Sequence, residues 1–123
     1  MSMTSVEKAS VCYNCALSKK AVDPVAFDLN EISDVTDVFI IAGGTSTRHV
    51  QTIASAIEGV LREIGEKNYH IEGYQNAYWV LIDAGDVVIH VFSEEARKYY
   101  DLERHWLDAR KIEFDPPAAV EAT

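Results

Sequence analysis

Val38-Phe39-Ile40-Ile41-Ala42-Gly43-Gly44-Thr45-Ser46 leads straight into Val50, Ile53, Ala54, Ile57, Val60, Leu61 and Ile64. The first five residues form an unbroken apolar run, the mark of a strand buried on both faces. The later set recurs at helical spacing and leaves Gln51, Ser55, Glu58, Arg62 and Glu63 outside. Gly65 stands where a helix would stop. A strand, a glycine turn and an amphipathic helix predict a crossover unit at the centre of an α/β fold.

The flanks extend that unit. Thr4 and Glu7 form a capping-box pair, and 6–21 holds neither Pro nor Gly, so a first helix is expected up to Asp23-Pro24. Val25, Phe27 and Leu29 alternate as on a half-buried strand, and 30–37 is a polar connection. Strands are expected over 69–74, 77–83 and 87–92, with 83–86 as a hairpin turn. Ser93 is a good N-cap, and a helix should run from Glu94 toward Asp108. The order is α-β-β-α-β-β-β-α, a mixed sheet of about five strands flanked by helices.

The chain has 123 residues, enough for one domain and hardly two. Residues 1–110 are expected to be that domain, and 111–123 a flexible C-terminal tail around Asp115-Pro116-Pro117. Hydrophobic residues make up 48% and charged residues 25%, which argues against general disorder. No apolar run is long enough to span a membrane, no leader pattern opens the chain, and two cysteines suit a reducing compartment. Twenty Asp and Glu against eleven Lys and Arg give a net charge of −9. Such a chain is repelled by phosphate backbones and attracts basic partners.

Candidate chemistry is thin. The Gly43-Gly44-Thr45-Ser46 turn, with Arg48 and His49 after it, could cradle a phosphate, but no Walker or dinucleotide pattern is present, and a tight capped turn is the favoured reading. Nucleotidyl transfer would need paired carboxylates on the next strand, where only Glu72 stands. Asp83 and Asp86 flank a hairpin, so turn chemistry explains them first. Cys12 and Cys15 form a Cys-x-x-Cys inside a helix, without the second pair that zinc needs or the preceding strand that a redox motif needs. His90 stands alone among Val and Ile, most simply as a half-buried histidine. The strongest signal is the aromatic surplus of Tyr74, Tyr78, Trp79, Tyr99, Tyr100 and Trp106. Trp79 and Leu81 share one strand face while Val80 and Ile82 share the other. Either helices cover both faces, or one face is a partner site.

Several blocks resemble one family. Gly44-Thr45-Ser46-Thr47-Arg48-His49-Val50, with Thr36-Asp37 before the central strand, is similar to the ribosomal silencing factor family, also called Iojap. So are Glu72-Gly73, then Trp79-Val80-Leu81-Ile82-Asp83-Ala84-Gly85-Asp86-Val87-Val88-Ile89-His90-Val91-Phe92, and finally Tyr100-Asp101-Leu102-Glu103-Arg104-His105-Trp106. The blocks keep the family's order and spacing over 6–109, while Cys12, Cys15 and the Pro116-Pro117 tail lie outside the pattern.

The resemblance implies a nucleotidyltransferase-like α/β fold without the catalytic carboxylates, no enzymatic activity and no cofactor or metal. It implies a cytoplasmic translational repressor that binds the large ribosomal subunit, chiefly through large-subunit ribosomal protein fourteen. Docking of the small subunit would be blocked when nutrients run short, and a role in large-subunit maturation is attributed to the family too. A homodimer when free, no membrane contact and little direct nucleic-acid contact are expected. Matching motif positions to strand alternation places Trp79, Leu81, Tyr100 and Trp106 at the centre of the partner site. Asp83, Asp86, Glu95 and Glu103 would form an acidic rim, and His90 would add a hydrogen bond. The competing expectations are a nucleotide-handling enzyme at Gly43-Gly44 and a redox or metal module at Cys12 and Cys15.

Overall fold

The computed structural model describes residues 3–31, 36–107 and 109–114. Helix α1 spans Ser5–Ser18, and its capping box is present: Thr4 Oγ1 accepts from the Glu7 amide, and Glu7 Oε1 accepts from the Thr4 amide. The helix ends earlier than Asp23-Pro24 would require, because Lys20 takes a positive φ of 61°. Strand β1, Val22–Asp28, then absorbs Pro24 in an irregularity between Val22 and Val25. Strand β2 is Val38–Gly44, α2 is Thr47–Glu63, β3 is His70–Glu72, β4 is Trp79–Asp83 and β5 is Val87–Ser93.

Helix α3 covers only Glu94–Tyr100, capped by Ser93 as expected. The helix expected to continue toward Asp108 breaks at Asp101, whose φ of 45° is left-handed, and resumes as a 3-10 helix over Leu102–Trp106. Arg97 holds the elbow. Its guanidinium donates to the carbonyls of Val22 and Asp23 at 2.9 and 2.7 Å and meets the Glu103 carboxylate at 3.0 and 3.2 Å.

A sixth strand, β6 at Arg110–Lys111, pairs antiparallel with β1. Among the described residues the sheet order is β3-β4-β5-β2-β1-β6, with β2 and β5 parallel and the other neighbours antiparallel. Packed chain therefore continues past residue 110. The Ile112 amide donates to Ala26, and Ile112 and Phe114 rest on the core. The rest of the expected tail, 115–123, and part of the connection at 30–37 lie outside the described residues.

Alternation along the strands divides the core in two. Val38, Ile40, Val80, Ile82, Val87, Ile89 and Val91 face α1 and α2, meeting Cys12, Ala16, Val50, Ile53, Ile57 and Leu61. Each Ile or Leu fully buried there contributes about 1.5–3 kcal/mol relative to exposure. The opposite face carries Phe27, Phe39, Ile41, Trp79 and Phe92, and among the described residues the helices packed on it are the short α3 and the 3-10 helix. Among the described residues, helices thus fill one face and part of the other.

Candidate functional site, an aromatic sheet face

The partly covered face is built from three neighbouring strands. Register places Trp79 opposite Phe92, Leu81 opposite His90 and Asp83 opposite Val88, with Phe39 and Ile41 beside Val88 and His90 on β2. Rings then run continuously across the sheet. The Trp106 ring meets Phe39 edge-on at 5.3 Å, and Phe39 lies 4.9 Å from His90. Trp79 stacks on Phe92 at 5.1 Å, and Tyr100 sits 4.7 Å from Trp79. Tyr78 and Tyr99 extend the chain through Tyr100. Tyr99 is 76% exposed, Tyr100 42% and Leu107 79%, so the α3 end of this network opens to solvent.

His90 anchors the middle. The Trp79 indole N–H donates to His90 Nδ1 at 3.0 Å, which places the imidazole proton on Nε2. Nε2 is buried without a hydrogen-bond partner, as is the Trp106 indole N–H. With 6% exposure, burial pushes the His90 pKa down to about 4, so the ring is neutral at pH 7. The hydrogen bond expected of His90 is thus made inside the protein, where it fixes the Trp79 ring.

The acidic rim is thinner than the sequence suggested. Asp83 is exposed and its Oδ1 accepts from the Gly85 amide, so turn chemistry does explain its position. Asp86 belongs elsewhere: it is tied to α1, which packs on the other face. Its Oδ1 lies 2.6 Å from Lys8 Nζ, and its Oδ2 accepts from Ser5 Oγ at 3.0 Å. Lys8 also meets Glu66 at 2.5 Å. Burial pushes the Asp86 carboxyl up, but hydrogen bonds from Lys8 and Ser5 outweigh it and hold it below the usual range. Glu103 is held by Arg97 and so supports the α3 elbow. Glu95 is exposed on α3.

Sequence reasoning missed Phe39 and Phe92 as members of the face. Both fall in apolar runs where the two sheet faces look alike. The two-residue step from His90 to Phe92 was the available signal.

The remaining candidates resolve as local structure. Thr45 N–H, a donor that a phosphate cradle would need, goes to His49 Nδ1 at 2.9 Å, and His49 N–H goes to Ser46 Oγ at 3.0 Å. A Cβ on Gly44 would meet Val50 Cγ2 at 2.7 Å and the Val50 amide nitrogen at 2.9 Å, so the glycine is there for close helix approach. Burial pushes the Cys12 thiol up to about 12, which keeps it a thiol, and Cys15 is raised by burial too. Among the described residues no group of three His, Cys, Asp or Glu side chains gathers to hold a metal, and no helix is long and apolar enough to cross a membrane.

Comparison with known proteins gives a consistent result. A family profile described as ribosomal silencing factor during starvation matches residues 2–123. The ribosomal silencing factor RsfS of Halalkalibacterium halodurans is 42% identical over 113 residues, covering 92% of this chain and 97% of that one. The mouse protein named mitochondrial assembly of ribosomal large subunit protein 1 is 34% identical over 74 residues, 58% of this chain and 32% of its own. A Chromobacterium violaceum crystal structure superposes with a TM-score of 0.83 at 31% identity, covering 98% of this chain and all of that one. With its mixed six-stranded sheet, its aromatic face and a family match over nearly its whole length, this chain belongs to the ribosomal silencing factor family.

Proposed function

We propose that this chain is a ribosome-associated regulator of translation that works by occupying space. It binds the large ribosomal subunit through large-subunit ribosomal protein fourteen and prevents the small subunit from docking when nutrients are scarce, and it also serves large-subunit maturation. Family membership supports the ribosomal association. The large-subunit wording in the mouse relative's name supports the choice of subunit.

The observation that carries the mode of action is the open aromatic network on one sheet face. Trp79, Leu81, Tyr100 and Trp106 form the apolar centre of the contact, with Asp83 and Glu95 at its edge. Large rings ringed by polar groups suit an interface core. The net charge of −9 steers the factor toward a basic ribosomal protein and away from bare rRNA, which keeps direct nucleic-acid contact small. No chemical step is required, so the protein is not an enzyme, and its place of action is the cytoplasm. In the free protein a second copy covers the same apolar face, giving a homodimer that competes with ribosome capture.

Sedimentation of the purified factor with isolated large subunits, small subunits and joined ribosomes tests this reading. It expects co-migration with large subunits alone. Binding to joined ribosomes, or to no particle at saturating dose, would overturn it.

A further inference from the structure

On the opposite side from the aromatic face, α2 borders a groove of about 470 Å3 lined by Lys19, Arg48, Gln51, Thr52, Ser55 and Tyr74. Two of these side chains are cations and none is an acid. In a chain where acids outnumber Lys and Arg by twenty to eleven, that composition is a local inversion. Among the described residues neither Lys19 nor Arg48 meets a carboxylate at ion-pair distance. The groove beside Arg62 and Lys67 differs, because Glu66 lines it and Glu58 holds Arg62 at 3.0 Å.

The groove is assembled by specific contacts. His49 Nε2 donates to the Lys19 carbonyl at 2.8 Å, which ties the end of α1, carrying one cation, to the start of α2, carrying the other. Gln51 Nε2 donates to the Tyr74 carbonyl at 2.9 Å, and the Ser55 and Tyr74 hydroxyls meet at 2.8 Å. That hydroxyl pair uses one proton internally and keeps one to donate. Within 44–50, Gly44 allows close approach, Ser46 caps, His49 ties α1 to α2 and Val50 is buried. Among the described residues Arg48 makes no such internal contact.

We propose that this groove binds a phosphoryl group, with Arg48 and Lys19 supplying charge and the Ser55–Tyr74 pair and Thr52 supplying hydroxyl donors. A guanidinium forks onto two phosphate oxygens, and a nearby ammonium adds a point charge. The phosphoryl group comes either from a free nucleotide or from an RNA backbone, and in the second case the contact is confined to this groove, since the net charge of −9 repels phosphate backbones elsewhere. The site is separate from the aromatic face and stands or falls independently of the ribosomal contact there.

The test titrates the full isotope-labelled chain with inorganic phosphate, a ribonucleoside triphosphate and a single-stranded RNA hexamer, following amide resonances. The expected result is saturable shifts confined to Lys19, Arg48, Thr52, Ser55 and their neighbours. Combining Lys19→Ala with Arg48→Ala should weaken binding about tenfold or more while leaving the melting temperature unchanged, since both side chains are exposed. Saturation by the triphosphate but not the hexamer identifies a nucleotide. Hexamer binding whose log–log salt slope falls by about 1.4 in the double variant identifies an RNA backbone. Shifts spread over the whole surface, or shifts unchanged in the double variant, overturn the proposal.

Discussion

Replacing His90 with Phe should remove a defined part of the protein's acid sensitivity. The imidazole sits among Phe39, Trp79 and Phe92 with one nitrogen accepting from Trp79 and the other without a partner. Burial depresses its pKa from 6.5 to about 4. As pH falls, the unfolded chain therefore takes up this proton before the folded one does. Stability from the neutral ring is complete above about pH 6.5 and is lost as pH falls toward 4. At 1.36 kcal/mol per unit, the full loss is on the order of 3 kcal/mol.

In His90→Phe the Trp79 N–H loses its acceptor, a pH-independent cost of about 1–2 kcal/mol, while the unpartnered Nε2–H disappears as well. Urea unfolding of both proteins from pH 7 to 4.5 isolates the effect, because contributions of the other titratable groups cancel in the difference. Wild type should lose stability relative to the variant steadily below pH 6.5. Two curves that run parallel through this window would refute the assignment of a buried neutral imidazole.

Three further outcomes follow from local geometry. Gly44→Ala places a methyl against Val50 and should cost about 1–3 kcal/mol of stability in thermal or urea unfolding; an unperturbed variant would mean that the turn is looser than its geometry implies. Asp86→Ala leaves Lys8 with Glu66 and the Ala84 carbonyl and should cost about 1–2 kcal/mol while leaving large-subunit binding intact; a stable variant that fails to bind would return Asp86 to the contact. Cys12 should resist iodoacetamide in the folded protein at pH 8 and react only after unfolding, and rapid labelling of the native chain would contradict its burial.

Elements whose signal is local were readable in the sequence. The step from β2 to α2 is written in one apolar run and one helical repeat, and the caps at Thr4 and Ser93 are written in side chains next to the amides they satisfy. Features that depend on distant partners were not. Strand β6 is Arg110-Lys111, with no apolar alternation to announce it, and it exists because β1 offers a free edge. The end of α3 carries neither Gly nor Pro. Asp101 turns left-handed where Arg97 grips β1 and Glu103.

The site divides the same way. Alternation put Trp79 and Leu81 on one face, and the register bears this out. Asp86 read as a turn residue or a rim carboxylate because nothing near it in sequence reveals that Lys8 reaches it from α1. His90 was visible as a polar residue in an apolar strand, but its bond to Trp79 depends on the β4–β5 register.

Occlusion by the aromatic face is tested most directly by a subunit-joining assay comparing wild type with Trp79→Ala, each confirmed as folded, with the exposed Tyr100→Ala as a companion. Loss of a buried tryptophan anchor typically costs about 2–4 kcal/mol of binding, so Trp79→Ala should need roughly 30- to 1000-fold more protein to keep the subunits apart. A folded Trp79→Ala variant that blocks joining at wild-type concentrations would contradict the account.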